Sequence, residues 1–160
     1  LKPGKGPKYD NPSGYLASNP RLTWTRAPGE VRTAGMLLVC EGPPDALVAA
    51  QAGFRSVGIL GSQAPDEKIA AALAAHAERT GDQIVAVLDA DEGGRTGKQR
   101  LDRLLADHAQ HVVFVDPPEG LDLNAWALAD PGWTDALAVH GSARPTAIEM
   151  QVAPIDTGVG

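Results

Sequence analysis

The chain has 160 residues, of which 43% are hydrophobic and only 4% aromatic, so we expect one domain with an aliphatic core. No run approaches the roughly 18 consecutive apolar residues of a membrane-spanning helix, and no signal peptide precedes the first apolar run. The single cysteine, Cys40, excludes an intramolecular disulfide and a Cys-rich zinc site. We therefore expect a cytoplasmic protein with no membrane partner. Because the first residue is Leu1 and not Met, we also expect the chain to be part of a longer protein.

Charge is distributed unevenly around the formal net charge of −6. Residues 1–35 contain six Lys and Arg against two Asp and Glu, whereas the remainder contains eight against eighteen. The same 35 residues are rich in Gly, Pro, Asn and Ser, so we expect a basic N-terminal segment with one short hairpin around residues 22–25. A basic segment before an acidic body suits a polyanionic partner, and it equally suits a solvated arm that binds nothing.

From residue 36 onward, short apolar runs alternate with helix-like stretches. Predicted strands cover residues 36–41, 55–60, 83–88 and 111–115, and predicted helices cover residues 44–52, 66–79, 94–109 and 122–129. This alternation is typical of an α/β fold with a central parallel sheet, here of about four strands, and helices on both faces. We assign the domain to residues 36–140. Residues 141–160 lose all periodicity and are predicted to be a tail or linker.

Acidic residues follow three of the predicted strands. Glu41 ends the first strand and Asp45 lies about one helical turn later, while Asp89 and Asp91 end the third strand and Asp122 follows the fourth. The carboxyl ends of parallel strands share one edge, where open α/β sheets bind ligands, so these side chains are expected to converge. Clustered carboxylates suit a hard divalent cation such as Mg²⁺ or Mn²⁺.

Each of these residues also has a structural explanation. Asp45 could complement the dipole of the helix that it begins. An Asp-x-Asp pair can be an ordinary acidic turn, and Asp122 could cap the helix that follows it. Arg95 and Lys98, at the start of the helix after the third strand, could contact phosphates or form a solvated helical face.

In combination, the three motifs resemble the TOPRIM domain, a Rossmann-like α/β fold shared by DnaG-type primases, type IA and II topoisomerases, RecR proteins and OLD-family nucleases. The resemblance covers residues 36–129 and is closest to the primase branch, which includes phage and mobile-element enzymes. Glu41-Gly-Pro-Pro-Asp45 resembles the primase Glu-Gly-x-x-Asp, and Asp89-Ala-Asp91-Glu-Gly-Gly-Arg95 resembles the primase Asp-x-Asp-x-Ala-Gly-Arg.

Outside these motifs the resemblance is partial. Lys8, Tyr9 and Asn11 resemble the Lys-Tyr-x-Asn stretch upstream of the primase TOPRIM segment, so residues 1–35 are interpreted as the remnant of a flanking subdomain. The third motif often has a second carboxylate two residues after the first, where Asn124 stands here. The primase zinc-binding domain is not expected in a chain with one cysteine, and no helicase nucleotide-binding motif is visible.

The resemblance implies Mg²⁺- or Mn²⁺-dependent nucleotidyl transfer, namely RNA primer synthesis from nucleoside triphosphates on a single-stranded DNA template. It implies that Glu41, Asp89 and Asp91 are catalytic and that these three, with Asp45 and Asp122, hold the metal. The chain would then be the catalytic piece of a longer protein with zinc-binding, helicase or relaxase domains.

The same resemblance assigns nucleic-acid or nucleotide binding to Lys8, Tyr9, Asn11, Arg95 and Lys98. Two other functions of the fold stay open, a metal-dependent nuclease and a non-catalytic nucleic-acid-binding module. A phosphatase-like or receiver-like domain is a further alternative, but its key aspartate normally follows the first strand and not the third.

Overall fold

The computed structural model describes residues 20–25, 35–60, 65–89 and 91–141, and these residues form an α/β fold as predicted. The elements are β1 (Leu22–Trp24), β2 (Met36–Cys40), α1 (Pro43–Gln51), β3 (Arg55–Ile59), α2 (Glu67–Thr80), β4 (Gln83–Val87), α3 (Glu92–Asp107), β5 (Val112–Phe114), α4 (Leu123–Ala129) and α5 (Trp133–Gly141). Most of the predicted boundaries are displaced by only one or two residues. Predictions for residues 1–19, 26–34 and 142–160 lie outside the described part of the chain.

The sheet has the strand order β1-β3-β2-β4-β5. Strand β2 pairs in parallel with both β3 and β4, and β4 pairs in parallel with β5, which accounts for the four predicted strands. Within the expected hairpin around residues 22–25 lies strand β1, which pairs antiparallel with β3, with Leu22 opposite Ile59 and Trp24 opposite Val57. The described sheet therefore has five strands, and part of the N-terminal segment belongs to it.

Strand β2 separates two hydrophobic cores. All five of its residues are buried, which explains its unbroken apolar run, since a central parallel strand is covered on both faces. Leu37 and Val39 pack with side chains of α2 and α3, whereas Leu38 and Cys40 pack with side chains of α1, α4 and α5. Consequently, α2 and α3 cover one face of the sheet, and α1, α4 and α5 cover the other.

Helix α5 was not predicted, and it completes the second core. Trp133 is only 6% exposed, and its ring lies 6.3 Å from that of Trp126 and 5.9 Å from that of Phe54, measured between centroids. Both tryptophans therefore serve packing.

The buried thiol of Cys40 adjoins the acidic edge of the sheet. Burial raises the pKa of this thiol far above its ordinary value, and the negative charge of Asp45 raises it further. Since no other cysteine exists in the chain, this thiol behaves as a small core side chain. Within the ranges that the structure covers, no helix is both long and apolar enough to cross a membrane.

A polar cluster lies at the opposite edge of the sheet, at the amino ends of the parallel strands, and connects β3, α2 and the start of β4. The carboxylate of Asp82 is 1% exposed, accepts a hydrogen bond from His76 Nε2 at 2.9 Å and pairs with the guanidinium of Arg55. Burial raises the pKa of Asp82, but hydrogen bonds from His76 and Arg55 outweigh it and leave that pKa below its ordinary value. The Trp24 ring stacks on His76 at 5.1 Å and thereby ties β1 to this cluster.

Candidate functional site

The sheet changes its winding direction between β2 and β4. Helix α1, which follows β2, packs on one face of the sheet, whereas α3, which follows β4, packs on the other. Two adjacent parallel strands whose following helices diverge leave a crevice at their carboxyl ends, where open α/β sheets bind ligands. Glu41 follows β2 directly and Asp89 lies two residues beyond β4, so both stand at this crevice.

Glu41 connects the two strand ends. Its Oε2 accepts a hydrogen bond from the backbone N–H of Asp89 at 2.7 Å. Burial raises the pKa of the half-buried Glu41 above its ordinary value; the Asp89 N–H opposes this, and the negative charges of Asp89, Asp91 and Asp45 add to it. The other oxygen, Oε1, has no hydrogen-bond partner among the described residues. Negative charge thus accumulates around a carboxylate that is poorly solvated.

Two glycines allow the backbone segments around the crevice to approach each other closely. A Cβ on Gly94, in the first turn of α3, would lie 1.9 Å from the carbonyl oxygen of Asp89. A Cβ on Gly58, in β3, would lie 2.8 Å from the carbonyl oxygen of Gly42, just before α1. Larger residues at either position would push apart the segments that carry the acidic side chains.

Asp91 and Asp122 cap helices. The Oδ1 of Asp91 accepts a hydrogen bond from Gly94 N at 2.8 Å, and the Oδ1 of Asp122 accepts one from Ala125 N at 2.7 Å. These bonds satisfy backbone donors that would otherwise lack partners in the first turns of α3 and α4. The structural role that the sequence left open for Asp122 is therefore present.

Asp45 reaches from α1 to α4. Although it lies in the first turn of α1, its Oδ1 accepts a hydrogen bond from Asn124 N at 3.2 Å. The contact joins the first acidic motif to the third across two helices. A pattern of side chains does not reveal it, because the donor is a backbone group.

The donor set suits a hard divalent cation, because its carboxylate oxygens are the preferred ligands of Mg²⁺ and a cation would relieve the repulsion around Glu41. In their observed positions, however, no three His, Cys, Asp or Glu side chains of the described ranges are grouped closely enough to hold a metal. Asp91 and Asp122 point to their own helix N-termini and would have to turn to reach a shared ion. The residues fit the cation in chemistry and in charge.

The basic residues predicted to contact phosphates differ in their surroundings. Arg95 is exposed in the first turn of α3. The Nζ of Lys98 pairs with the carboxylate of Asp116, which follows β5. Asp116 was not among the predicted site residues, although its position just after a strand was a signal that it would reach the same edge. Lys8, Tyr9 and Asn11 lie outside the described residues.

Comparisons with known proteins agree with this architecture. The family model described as Toprim-like matches residues 38–127, which is more than half of the chain. Among solved structures, the primase of Aquifex aeolicus (zinc-binding and RNA polymerase domains) is similar, with a TM-score of 0.55 and 23% sequence identity. The match covers 66% of this chain and 26% of the primase chain, so this chain spans only a minor part of that protein's length. No curated protein matches the chain.

The predicted TOPRIM fold is thereby confirmed. Residues 38–127 include Glu41, Asp89 and Asp91 at the crevice, together with Asp122 at the start of α4. The chain belongs to the Toprim-like family.

Proposed function

We propose that this chain is the TOPRIM domain of a primase-like nucleotidyltransferase, which joins nucleoside triphosphates into an RNA primer on a single-stranded DNA template. The observation that carries the proposal is the junction at the crevice, where Glu41 Oε2 accepts the Asp89 N–H at 2.7 Å. This contact brings the first two acidic motifs together at the place where α/β sheets bind ligands.

The proposed metal ligands are the carboxylates of Glu41, Asp89, Asp91 and Asp122, with Mg²⁺ or Mn²⁺ as the ion. When bound, the ion would neutralise charge on the triphosphate and on the leaving group during phosphoryl transfer. To bind the ion, the carboxylates of Asp91 and Asp122 would release the hydrogen bonds that they accept from the first turns of α3 and α4.

The alternative to metal ligation by Glu41 is that it is the proton acceptor. One of its oxygens, Oε2, accepts the Asp89 N–H, so the side chain is oriented, while Oε1 accepts no hydrogen bond from the described residues. Burial is the largest cause of the raised pKa of Glu41 and does not depend on the charges that the ion would neutralise, and a carboxylate with a raised pKa is a better base for the attacking hydroxyl than an ordinary glutamate.

Arg95, on the exposed first turn of α3, is the proposed contact to the triphosphate. Lys98 would join it only by releasing Asp116, with which it is paired. Lys8, Tyr9 and Asn11 are proposed to bind nucleic acid from the basic N-terminal segment. The Aquifex structure contains zinc-binding and RNA polymerase domains. We extend this context to a longer cytoplasmic protein with zinc-binding, helicase or relaxase domains.

Dinucleotide formation on a single-stranded template, with Mg²⁺ and labelled nucleotides, tests the proposal. We expect activity in the native protein, a loss of at least about 100-fold in Glu41→Gln, and near-native activity in Glu92→Gln, which removes an exposed neighbouring charge. Full activity in Glu41→Gln would remove Glu41 from its role.

Parallel reactions on labelled DNA, with and without nucleotides, test the two other functions of the fold. Cleavage of labelled DNA, with no synthesis, would identify a nuclease. Binding of DNA with neither reaction would identify a non-catalytic module. Either outcome would overturn the primase proposal.

A further inference from the structure

The first turn of α4 is held by two carboxylates from different parts of the chain. Asp122 accepts the N–H of Ala125 at 2.7 Å, and Asp45 accepts the N–H of Asn124 at 3.2 Å. These are consecutive amides, and a helix start leaves four such donors without partners inside the helix. One carboxylate comes from the turn just before α4, and the other comes from α1, 79 residues away from Asn124.

We propose that Asp45 is a positioning residue and not a metal ligand: it anchors the first turn of α4 to α1 and thereby sets where Asp122 stands relative to Glu41. This inference rests on the proposed function, because Asp122 matters as a ligand only if the crevice binds metal.

Because the two carboxylates accept different amides, one hydrogen bond can break while the other remains. If Asp122 turned to an ion, Ala125 would lose its acceptor and α4 would lose its N-cap. The bond from Asn124 to Asp45 would remain, so the first turn of α4 would keep one of its two side-chain acceptors and stay attached to α1. The Asp122 side chain could therefore turn away from the Ala125 N–H while Asp45 still holds α4 against α1.

Packing beneath this contact supports the same role. Helices α1 and α4 meet over a shared core, in which Ala46 and Ala49 of α1 and Trp126 of α4 are buried. Asp45 immediately precedes Ala46, so the polar contact and the apolar contact hold the same pair of helices. A side chain with this placement acts on the geometry between helices.

Substitution with asparagine or alanine separates positioning from ligation. Asparagine keeps an oxygen that accepts the Asn124 N–H and is as good an N-cap acceptor as aspartate, but it lacks the charge. Without metal, we expect the Asn124 amide of Asp45→Ala to exchange roughly tenfold faster with solvent, as the loss of a hydrogen bond to a charged group implies. We expect Asp45→Asn to exchange at a rate close to the native one. An unchanged rate in Asp45→Ala would overturn the anchoring role.

The second measurement is the Mg²⁺ concentration at half-saturation. We expect Asp45→Ala to need roughly tenfold more Mg²⁺, as loss of a residue that orients a ligand typically does. Asp45→Asn should stay within about threefold of native, the effect of removing a distant charge in water. Glu92→Gln gives the matched charge control, and Asp91→Asn gives the ligand control. An Asp45→Asn variant as weak as Asp91→Asn would make Asp45 a ligand and would overturn the proposal.

Failure of the proposed function would look different. A native protein that binds no Mg²⁺ would end the metal proposal and the role of Asp122, whereas the metal-free exchange rate of Asn124 would still decide whether Asp45 anchors α4. If the native protein bound Mg²⁺ and Asp45→Ala matched it in both the Asn124 exchange rate and the Mg²⁺ concentration at half-saturation, only the inference about Asp45 would be overturned.

Discussion

Replacing Gly94 with alanine tests whether close backbone contact at the crevice sets the acidic site. In an ordinary helix this substitution stabilises, by roughly 1 kcal/mol, because alanine has the higher helix propensity. Here the new Cβ would lie 1.9 Å from the carbonyl oxygen of Asp89 and 2.8 Å from its carbonyl carbon. Both are backbone atoms, so the clash cannot be relieved by turning a flexible side chain.

Forcing an extra methyl group into a packed site typically costs about 1–3 kcal/mol. Because the Cβ would meet backbone atoms, the nearest at 1.9 Å, we expect a cost in the upper part of this range, about 2–3 kcal/mol. After the gain in helix propensity of about 1 kcal/mol, Gly94→Ala should lose about 1–2 kcal/mol of stability. It should therefore unfold at a temperature lower by about 2–8 °C, given roughly 2–4 °C per kcal/mol for a domain of this size. Displacement of Asp89 should also weaken Mg²⁺ binding. Gly93 offers a matched control one residue earlier, since its Cβ would be 3.4 Å from Asp91 Oδ1, an ordinary contact.

Thermal unfolding by circular dichroism, with and without Mg²⁺, measures both effects. We expect Gly93→Ala to be as stable as the native protein or slightly more stable, with unchanged Mg²⁺ dependence. If Gly94→Ala unfolded at the same temperature as Gly93→Ala, the close contact with Asp89 would have no energetic importance, and the reasoning would be refuted.

Three further predictions concern Gly58, Asp82 and Asp91. Gly58→Ala should lose about 1–3 kcal/mol of stability in urea unfolding, because its Cβ would lie 2.8 Å from the Gly42 carbonyl oxygen; native stability would contradict this. Asp82→Asn should lose about 2 kcal/mol at pH 7. Since the folded pKa of Asp82 is lowered, its stabilisation is fully present above the unfolded pKa of about 4 and is lost as the pH falls from there through the lower folded pKa. Urea unfolding should therefore show a smaller difference between native and variant stabilities at pH 3 than at pH 7. A constant difference would argue against the ion pairs. Mg²⁺ at ten times its dissociation constant should raise the unfolding temperature of the native protein by about 3–6 °C. Asp91→Asn should show no such rise, although asparagine preserves the cap of α3, and an equal rise would exclude Asp91 as a ligand.

The parallel part of the fold could be predicted because each of its strands is a short apolar run that is recognisable in the local sequence. The run from Met36 to Cys40 is apolar at every position, as a strand covered on both faces requires. Strand β1 has only three residues, and what makes it a strand is pairing with β3, more than thirty residues later. Helix α5 was missed because it is stabilised by Trp133 packing on distant rings, which no local pattern reveals.

At the site, strand ends could be predicted but side-chain directions could not. The positions of Glu41 and Asp89 follow from topology, because both come after adjacent parallel strands. The directions of Asp91, Asp122 and Asp45 depend on which backbone N–H each one reaches, and for Asp45 that donor belongs to another helix. Tertiary arrangement decides this, so a pattern of acidic residues alone leaves cap and ligand equally open.

The buried thiol of Cys40 makes the centre of this sheet observable in solution. Alkylation requires an exposed thiolate, and this thiol is both shielded and held protonated. A maleimide reagent should therefore react only when β2 separates from its neighbours, and the labelling rate would report how often that opening occurs. With one cysteine in the chain, the signal comes from one place, immediately before Glu41. Any ion that binds at the crevice should slow the labelling, so the native protein carries its own reporter of site occupancy.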